Sequence, residues 1–414
     1  MFSEYHEAVR YLQSLVQLPK KHEYMKDRVD PSVYLKRMDY FLGLLGHPEI
    51  GPKYVHITGT SGKGTVSTII HDMLKRSGYT VGLVTSPFVT TTIEKTKVND
   101  LFISPEDFVR IVNDIKPHID DAYLNGPYDR PSYFEILLAI SYIYFKEQKC
   151  DWVVLEVGCG GRYDYTNTIK HSEISLITNI DNDHLHLIGP TLADVAYEKV
   201  GIVKEGSVLF TTEENEEYLD IFKKECKAKK AEFNKVEAVT DKHITNHNLV
   251  RAAGERLGIS DSVTKEAIDS FRMQGRNEVV SENPEIILDG AHNEAKMNAF
   301  VSKLDKVKKY NIVFGAGKTK NVERMLDILI PYVNKFYFTR SMVAPSEVHS
   351  PREMFTYTES KGVPSKIFLD PFQAIESAKE GGLPIVVTGS FFLVGEIRSL
   401  WYSEEYILTN RKAF

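Results

Sequence analysis

The chain has 414 residues, more than one hydrophobic core usually supports, so we expect two domains. Apolar residues make up 42% and charged residues 26% of the chain, and no apolar run approaches the roughly 20 residues that span a bilayer, which excludes a membrane-spanning protein and indicates a soluble globular one. The formal net charge is −6 without a long basic run, which argues against a nucleic-acid-binding surface.

The start of the chain and its cysteines indicate a compartment. Residues 1–7 lack the basic region and the apolar core of a signal peptide. Cys150, Cys159 and Cys226 have neither a paired spacing nor the spacing of metal ligands. We therefore expect a cytoplasmic protein whose partners are small molecules.

Short β-branched runs alternate with amphipathic helical stretches along the chain. Such alternation is typical of a parallel sheet covered by helices. The predicted elements are, in chain order, a strand at 54–57, a helix at 66–76, a strand at 79–85, helices at 104–119 and 134–145, strands at 152–157, 174–180 and 208–212, and a charged helix at 216–230.

The alternation is interrupted at 271–277 and restarts at 285–288, which predicts a domain junction. Strands near 311–314, 335–339 and 385–388, with helices between them, predict a second α/β unit. The predicted fold is an N-terminal P-loop-type parallel sheet domain with helices on both faces, over 1–273, and a smaller Rossmann-like α/β domain over 274–414.

The most informative motif is Gly59-Thr60-Ser61-Gly62-Lys63-Gly64-Thr65, between a predicted strand and a predicted helix. Glycines let the backbone approach a polyanion, and the free amides and dipole of a helix start favour negative charge. Lys63 can neutralise phosphate oxygens, and the Thr65 hydroxyl can reach a bound Mg²⁺. The spacing differs from the Walker pattern, so we predict a phosphate site of another type; an ordinary strand-to-helix turn is the alternative.

Polar residues that suit a metal or a phosphate follow two predicted strands. Glu156 lies where α/β proteins bind ligands, at the carboxyl end of a strand, which predicts a Mg²⁺ ligand or, alternatively, a strand-capping acid. His184 follows the strand at 174–180 and is either a metal or phosphate ligand or a surface histidine. Lys199 lies in a helical pattern at 192–204, where composition alone predicts a solvent-exposed lysine.

In this order the motifs resemble those of the folylpolyglutamate synthase and dihydrofolate synthase family, within the Mur-type ATP-dependent amide ligases. The resemblance covers nearly the whole chain. Its motifs are Gly59 to Thr65, Thr85-Ser86-Pro87-Phe88, Glu156 to Asn167, Asp183-His184, Glu198 to Lys204, Leu288 to Asn293 and Thr388-Gly389-Ser390.

The resemblance implies an ATP-dependent ligase that joins L-glutamate to a pterin carboxylate through an acyl phosphate, releasing ADP and phosphate. It implies that the loop of Gly59, Thr60, Ser61, Gly62, Lys63, Gly64 and Thr65 wraps the ATP phosphates. It also implies two Mg²⁺ ions, one served by Thr65 and Glu156 and one held by Ser86, Glu156 and His184. The resemblance further implies a carbamylated Lys199 that supports the second ion, and it implies Lys63, His184 and Lys199 as the catalytic residues.

Further positions are assigned by the same resemblance. Asn248, Arg276 and Asp289 match nucleotide-binding positions. The matches on the substrate side are Ser86, Pro87, Phe88, Asp164, His292 and Ser390. The acid is a reduced folate, dihydropteroate or both, and the residues leave this choice open. We expect a monomer whose two domains close over ATP, glutamate and the acid.

The chain departs from the family pattern at Ser61, where asparagine is common, at Cys159, where leucine is usual, and at Thr319, where the family usually carries an aspartate. The contacts of the loop from Gly315 to Lys320 are therefore open. Two other functions remain: a related Mur-type ligase acting on a non-folate acid, and a non-catalytic nucleotide-binding switch protein. The first would lack the folate-type order around Ser86 and 164–167, and the second would bind phosphate without turnover.

Overall fold

A computed structural model describes residues 2–18, 30–182, 185–343 and 347–414. The chain forms two compact units, the first comprising Met1–Phe88 and Thr92–Phe271, the second Val89–Thr91 and Arg272–Phe414. The division between Phe271 and Arg272 falls within the segment 271–277, where the sequence alternation is interrupted. In the described part of the chain, no helix is both long and apolar enough to cross a membrane.

Each unit is built on one sheet. The strands are β1 Lys53–Thr58, β2 Val81–Val84, β3 Thr96–Val98, β4 Leu101–Phe102, β5 Trp152–Glu156, β6 Ile174–Ile177, β7 Val208–Thr211, β8 Glu232–Lys235, β9 Glu278–Glu282, β10 Glu285–Leu288, β11 Tyr310–Phe314, β12 Val333–Phe338, β13 Ser365–Ile367 and β14 Ile385–Thr388.

Helices fill most of the connections between these strands. They are α1 Ser3–Ser14, α2 Ser32–Leu44, α3 Lys63–Arg76, α4 Pro105–Leu124, α5 Tyr133–Glu147, α6 Leu185–Ile188, α7 Leu192–Val200, α8 Glu216–Ala228, α9 Lys242–Arg256, α10 Asp261–Asp269, α11 Glu294–Val301, α12 Val322–Leu329, α13 Pro351–Glu359, α14 Pro371–Lys379, α15 Phe391–Arg398 and α16 Glu404–Asn410.

The first sheet has the order β4-β3-β2-β5-β1-β6-β7-β8 among the described residues. The six strands in the order β2-β5-β1-β6-β7-β8 pair in parallel, and β1 lies between β5 and β6. One face is buried under α3, α9 and α10, whose apolar residues form one core with Val55, Ile57 and Val154. The other face packs in part on α7 and α8. Because side chains alternate along a strand, His56 and Thr58 of β1 point away from the α3 face.

The second sheet has the order β13-β12-β11-β14-β10-β9 among the described residues. The core strand pairs are parallel, and β9 pairs antiparallel with β10 at one edge. Helices α11, α12 and α13 cover one face, and α14 and α15 cover the other. Two α/β units with mainly parallel sheets confirm the predicted fold class.

Both sheets also carry antiparallel strands at one edge, which the sequence analysis did not predict. Strands β3 and β4 form an antiparallel extension beside β2, in a stretch for which the sequence predicted no strand. In the second unit, β9 is likewise antiparallel. These edge strands are short and partly polar, so they lack the continuous apolar run of a buried parallel strand.

Candidate functional site

The predicted phosphate loop lies at the carboxyl end of β1 and leads into α3. Gly59 and Gly62 have φ values of 146° and 82°, which favour glycine. A Cβ on Gly59 would overlap the Thr178 hydroxyl, and one on Gly62 would lie 2.7 Å from the Asn246 amide nitrogen. Gly62 precedes α3 and has no side chain with which to cap it, so the first amides of the helix are left for a ligand.

Lys63 opens α3 and folds back over the loop. Its Nζ donates to the carbonyl oxygen of Gly59 at 2.7 Å. Thr65 follows in the first turn of α3 and is half-buried, and Gly64 is buried. The loop thus places one ammonium group and one hydroxyl beside a helix start, which is an anion-binding arrangement.

Hydrogen bonds tie the phosphate loop to the segment after β6. The Thr60 hydroxyl donates to the carbonyl oxygen of Asp181 and accepts from its N–H, each at 3.1 Å. The Ser61 N–H donates to Asn179 Oδ1 at 2.9 Å. The expected metal ligand His184 lies outside the described residues, so its position stays a prediction.

Glu156 and Ser86 lie together at the carboxyl ends of the inner strands β5 and β2. Glu156 ends β5, which is paired with β1, and is 5% exposed. Its Oε2 accepts a hydrogen bond from the Ser86 N–H at 2.9 Å. Among the described residues, no group of three histidine, cysteine, aspartate or glutamate side chains forms a metal cluster. Within the described part of the chain, the predicted oxygen donors at these strand ends are the buried Glu156 carboxylate and the hydroxyls of Ser86 and Thr65.

Lys199 is buried, with 1% of its surface exposed, so the composition-based expectation of a solvated helix lysine is wrong. The glycine loop after β5 packs on the end of α7 beside it. A Cβ on Gly161 would lie 2.8 Å from the carbonyl oxygen of Glu198 and 2.9 Å from that of Lys199. Burial also raises the pKa of Glu198 to about 7. Lysine is almost never buried to this extent unless its ammonium group is paired.

Asp164 is the centre of the loop that follows the glycine cluster. Its Oδ2 accepts from the Cys159 N–H at 2.9 Å, and its Oδ1 accepts from the N–H of Thr166 at 3.0 Å and from the Thr166 hydroxyl at 2.5 Å. Burial raises the pKa of Asp164 above its usual value, against these hydrogen bonds. Asp164 therefore organises its own loop.

An aromatic and cationic cluster lies beside Asp164. The rings of Phe134 and Tyr165 stack at 6.4 Å with an interplanar angle of 18°. Lys95 Nζ lies 5.6 Å and 5.9 Å from the two ring centroids. Burial lowers the pKa of Lys95 to about 8, although Glu156 and Asp164 favour its charged form. The sequence prediction missed Lys95 and Tyr165, whose only signal was their proximity in sequence to Ser86 and Asp164.

Three other predicted residues of the first unit are less closely tied to this geometry. Pro87 is exposed and Phe88 is half-buried after β2. Asn248 lies on α9, where its Nδ2 donates to the Glu237 carbonyl oxygen at 3.2 Å. The α9 side chain packed against the phosphate loop is that of Asn246, which the sequence prediction missed.

In the second unit, Asp289 follows β10 and holds two loops. Its Oδ2 accepts from the Asn277 N–H and its Oδ1 from the Ala291 N–H, both at 2.9 Å. Burial raises its pKa, while the charge of Arg276 opposes this. Asp289 thereby fixes the turn that carries Arg276.

His292 lies in the loop between β10 and α11. Its Nδ1 donates to the Gly290 carbonyl oxygen at 2.7 Å, and its Nε2 accepts from Lys296 Nζ at 3.1 Å. Burial and the charges of Lys296, Arg276 and Lys320 lower the pKa of His292 to about 3, so the ring is neutral. His292 consequently holds the ammonium group of Lys296, a residue that the sequence prediction did not include.

Ser390 and Phe391 complete the cluster of the second unit. Ser390 caps α15, accepting from the Leu393 N–H at 3.5 Å. The Phe391 ring packs against Gly290, where a Cβ would overlap it, and lies 4.8 Å from the Arg276 guanidinium carbon. The structure thus brings the predicted residues Arg276, Asp289, His292 and Ser390 into one region around Phe391.

Comparisons with known proteins bear on what these two sites do. Residues 275–391 match the family model described as Mur ligase, glutamate ligase domain. A dihydrofolate synthase/folylpolyglutamate synthase from Bacillus subtilis is 30% identical over 445 residues, covering 96% of this chain and 99% of the relative. The chain belongs to the folylpolyglutamate synthase and dihydrofolate synthase family. Members of this family are ATP-dependent ligases, and the chain is one of them.

Solved structures agree with the family membership. The crystal structure of folylpolyglutamate synthase from Thermotoga maritima is 28% identical, with a TM-score of 0.82, and the match covers 96% of this chain and 97% of that one. A structure of E. coli FolC in complex with DHPP and ADP is 23% identical with a TM-score of 0.77, covering 95% and 97% of the two chains, and shows the same fold.

Proposed function

We propose that the chain uses ATP to add L-glutamate to the carboxyl group of a reduced folate, of dihydropteroate or of both, through an acyl phosphate. ADP and phosphate are the other products. One observation carries the proposal. In a chain of this ligase family, the phosphate loop and the Glu156–Ser86 contact both lie at the carboxyl ends of neighbouring strands of the first sheet. Ligands of α/β proteins bind at the carboxyl ends of the strands.

The nucleotide part of the proposal assigns the ATP phosphates to the loop from Gly59 to Thr65. Lys63 now donates to the Gly59 carbonyl and would exchange that contact for phosphate oxygens. Arg276 and Asp289, with Asn248, are proposed to bind the nucleotide. The ADP in the E. coli FolC structure supports a nucleotide site in this fold.

The donor set around Glu156 fits Mg²⁺. This ion prefers oxygen ligands and usually binds through one or two carboxylates together with substrate phosphates and water. Glu156, Thr65 and Ser86 offer one carboxylate and two hydroxyls at a phosphate loop. Bound there, Mg²⁺ supplies positive charge against the phosphates. We assign a second ion to Ser86, Glu156 and His184.

Lys199 is proposed to be carbamylated and to support that second ion. Burial favours the uncharged form of an amine, and an uncharged amine is the form that takes up carbon dioxide. A carbamate would convert the buried Lys199 side chain into an oxygen donor.

The acid is proposed to bind with its pterin ring beside Phe134 and Tyr165. Stacked aromatic rings favour a further flat ring, and the polar edge of a pterin suits Asp164 and Lys95. His292 and Ser390 are proposed to lie on the side of the site that binds glutamate. The neutral His292 contacts Lys296, and Ser390 lies at the start of α15.

The chemistry needs no protein nucleophile. A carboxylate oxygen of the acid attacks the γ-phosphorus of ATP and ADP leaves; the glutamate amine then attacks the acyl carbon and phosphate leaves. Lys63 would offset negative charge that builds up in the first step, because preorganised charge is often the largest catalytic contribution. Bringing three reactants together can supply up to roughly 7 to 11 kcal/mol through entropy already lost on binding.

The test is phosphate release from ATP, Mg²⁺ and L-glutamate, with dihydropteroate in one reaction and tetrahydrofolate in another. We expect at least one acid to stimulate release. Lys63→Ala should lower kcat by about 100-fold or more. Lys53→Ala, which removes the same charge from the exposed start of β1, is the matched control and should keep full activity. If neither acid stimulates release by the folded wild-type protein, the proposal is wrong.

Lys199→Ala tests the carbamate. Activity should fall at least 100-fold and recover in part when short carboxylic acids are added, because these can replace the missing carboxylate. Phosphate release with and without added formate or acetate measures this. Full activity in the unsupplemented variant would remove the carbamate from the proposal.

A further inference from the structure

Two buried side chains of β1 hold the loop that carries Asp164. His56 and Thr58 are each 0% exposed and lie on the sheet face opposite α3. The Thr58 hydroxyl donates to the Gly160 carbonyl oxygen at 2.7 Å, and His56 Nε2 lies 2.9 Å from Thr166 Oγ1. The strand that leads into the phosphate loop therefore also contacts the loop of Asp164.

The direction of the hydrogen bonds follows from the number of protons. The single hydroxyl proton of Thr166 goes to Asp164 Oδ1, at 2.5 Å. Thr166 Oγ1 must then accept from His56, which places the proton of the imidazole on Nε2. Burial lowers the pKa of His56 well below its usual value, so the ring carries one proton only. Its Nδ1 has no hydrogen-bond partner among the described residues.

The loop is also held from its other end. Lys204 Nζ donates to the Asn167 carbonyl oxygen at 2.8 Å, and Asn167 Nδ2 donates to the carbonyl oxygens of Arg162 and Gly201, both at 3.0 Å. Between these anchors lies Tyr165, flanked by Asp164 and Thr166. The position of the Tyr165 ring, stacked on Phe134, consequently depends on how Asp164 and Thr166 are fixed.

We propose that His56 is a positioning residue for the acid substrate: a chain of hydrogen bonds from His56 Nε2 through the Thr166 hydroxyl to Asp164 Oδ1 sets the Tyr165 ring where a flat heteroaromatic ring binds. This rests on the proposed function for the identity of the substrate. His56 does not touch the substrate, and it acts on the binding of the acid and not on that of ATP.

The test uses Thr166→Val, which keeps the shape of the side chain and removes its hydroxyl. Leaving buried polar groups unpaired costs enough to raise the KM of the acid about tenfold, whereas the KM of ATP should change less than about twofold. Thr166→Ser restores the hydroxyl and should restore the KM. An unchanged KM of the acid in Thr166→Val, or no rescue by serine, would overturn the proposal.

His71→Gln is the matched control. His71 is also buried and neutral, with its Nε2 donating to the Val81 carbonyl oxygen at 3.2 Å, on α3 and away from the Asp164 loop. The His71→Gln variant should leave the ratio of the KM of the acid to the KM of ATP unchanged. The His56→Phe variant should raise the KM of the acid as Thr166→Val does. A general loss of packing would instead raise both KM values in all variants alike.

The tautomer of His56 gives a second measurement that does not depend on the substrate. In ¹⁵N spectra of histidine-labelled wild-type protein, the resonance missing from His56→Phe should show a protonated Nε2 and an unprotonated Nδ1. A protonated Nδ1 would overturn the hydrogen-bond chain. If the wild type shows this tautomer but neither acid stimulates turnover, the proposed function fails while the hydrogen-bond chain stands.

Discussion

The two units use the same type of contact, a buried arginine–glutamate pair, to hold different kinds of loop. In the first unit, Arg37 Nε and Nη2 both donate to Glu135 at 2.9 Å. Glu135 Oε2 also accepts from the Ser132 N–H at 2.6 Å, two residues before Phe134. The pair therefore fixes the start of α5 beside the proposed binding site of the acid.

In the second unit, Arg398 Nε donates to both carboxylate oxygens of Glu278 at 2.9 Å. Glu278 Oε2 also accepts from the Gly275 N–H at 2.7 Å. This amide lies directly before Arg276, so the pair fixes the turn that carries a proposed nucleotide ligand.

The difference lies in what else holds each loop. Ser132 and Glu135 form a capping box at the start of α5, so the helix itself supports the loop. The turn in the second unit has Gly275 and Asn277 at positive φ values of 59° and 46°, and it belongs to no helix or strand. A buried ion pair matters most where the backbone it holds has no regular structure.

The largest effect is expected from Arg398→Met. This change leaves Glu278 buried without its charge partner and should lower the free energy of unfolding by about 3–5 kcal/mol. The KM of ATP should rise with it. Urea denaturation followed by circular dichroism measures the first effect, and phosphate release measures the second.

Its control is the double variant Arg398→Met with Glu278→Leu. Replacing a whole buried pair by apolar residues is often neutral, so the double variant should recover most of the stability. The KM of ATP should stay raised, because the Gly275 amide has lost its acceptor. Equal stability of the wild type and Arg398→Met would contradict the comparison.

Arg37→Met should cost less, about 3 kcal/mol, since the Arg37 side chain is 10% exposed and that of Arg398 is 0% exposed. It should raise the KM of the acid and leave that of ATP unchanged. The same denaturation and kinetic measurements apply. A rise in the KM of ATP would show that the pair acts beyond the start of α5.

Phe391→Leu tests the second unit without breaking an ion pair. The variant loses the ring beside Arg276, a contact worth about 1 kcal/mol, so the KM of ATP should rise about fivefold. Phe392→Leu is the matched control, because Phe392 is the next residue and is exposed. Equal KM values for the two variants would remove Phe391 from the support of Arg276.

Lys204→Met tests the first unit through pH. Burial lowers the pKa of Lys204 to about 7, from 10.5 for an ordinary lysine. Between these values the unfolded chain binds the proton and the folded chain does not, so wild-type stability rises with pH. Relative to Lys204→Met, the wild type should gain about 1 kcal/mol between pH 7 and pH 8. Urea denaturation at both pH values measures this gain. If the free energy of unfolding changes equally with pH in the two proteins, the lowered pKa of Lys204 is contradicted.

The inner strands of both sheets were predictable from the sequence. They are buried on both faces and therefore consist of continuous apolar runs. Strands β5, β10 and β14 lie within one residue of the predicted bounds. The missed strands are of another kind: β8, Glu232–Lys235, is charged at both ends and lies at a sheet edge. Strand β8 forms by pairing with β7, and its own sequence has no apolar run that would predict a strand.

The candidate site was predictable where chemistry constrains the local sequence. Gly59 and Gly62 of the phosphate loop are required by close contacts with Thr178 and Asn246. The burial of Lys199 was not predictable from helical spacing, because burial depends on tertiary packing that the local sequence does not show. Residues that act through tertiary packing, such as Phe391, have no local signal at all.

The short segment Val89–Thr91 belongs with the second unit although it lies far from it in sequence. The carbonyl group of Val89 occupies the space where Gly395 of α15 would carry a Cβ. Domain grafting or separate expression of residues 272–414 would therefore uncover Gly395 on α15. To express the second unit separately with this contact intact, the segment Val89–Thr91 must be included by fusion or by circular permutation.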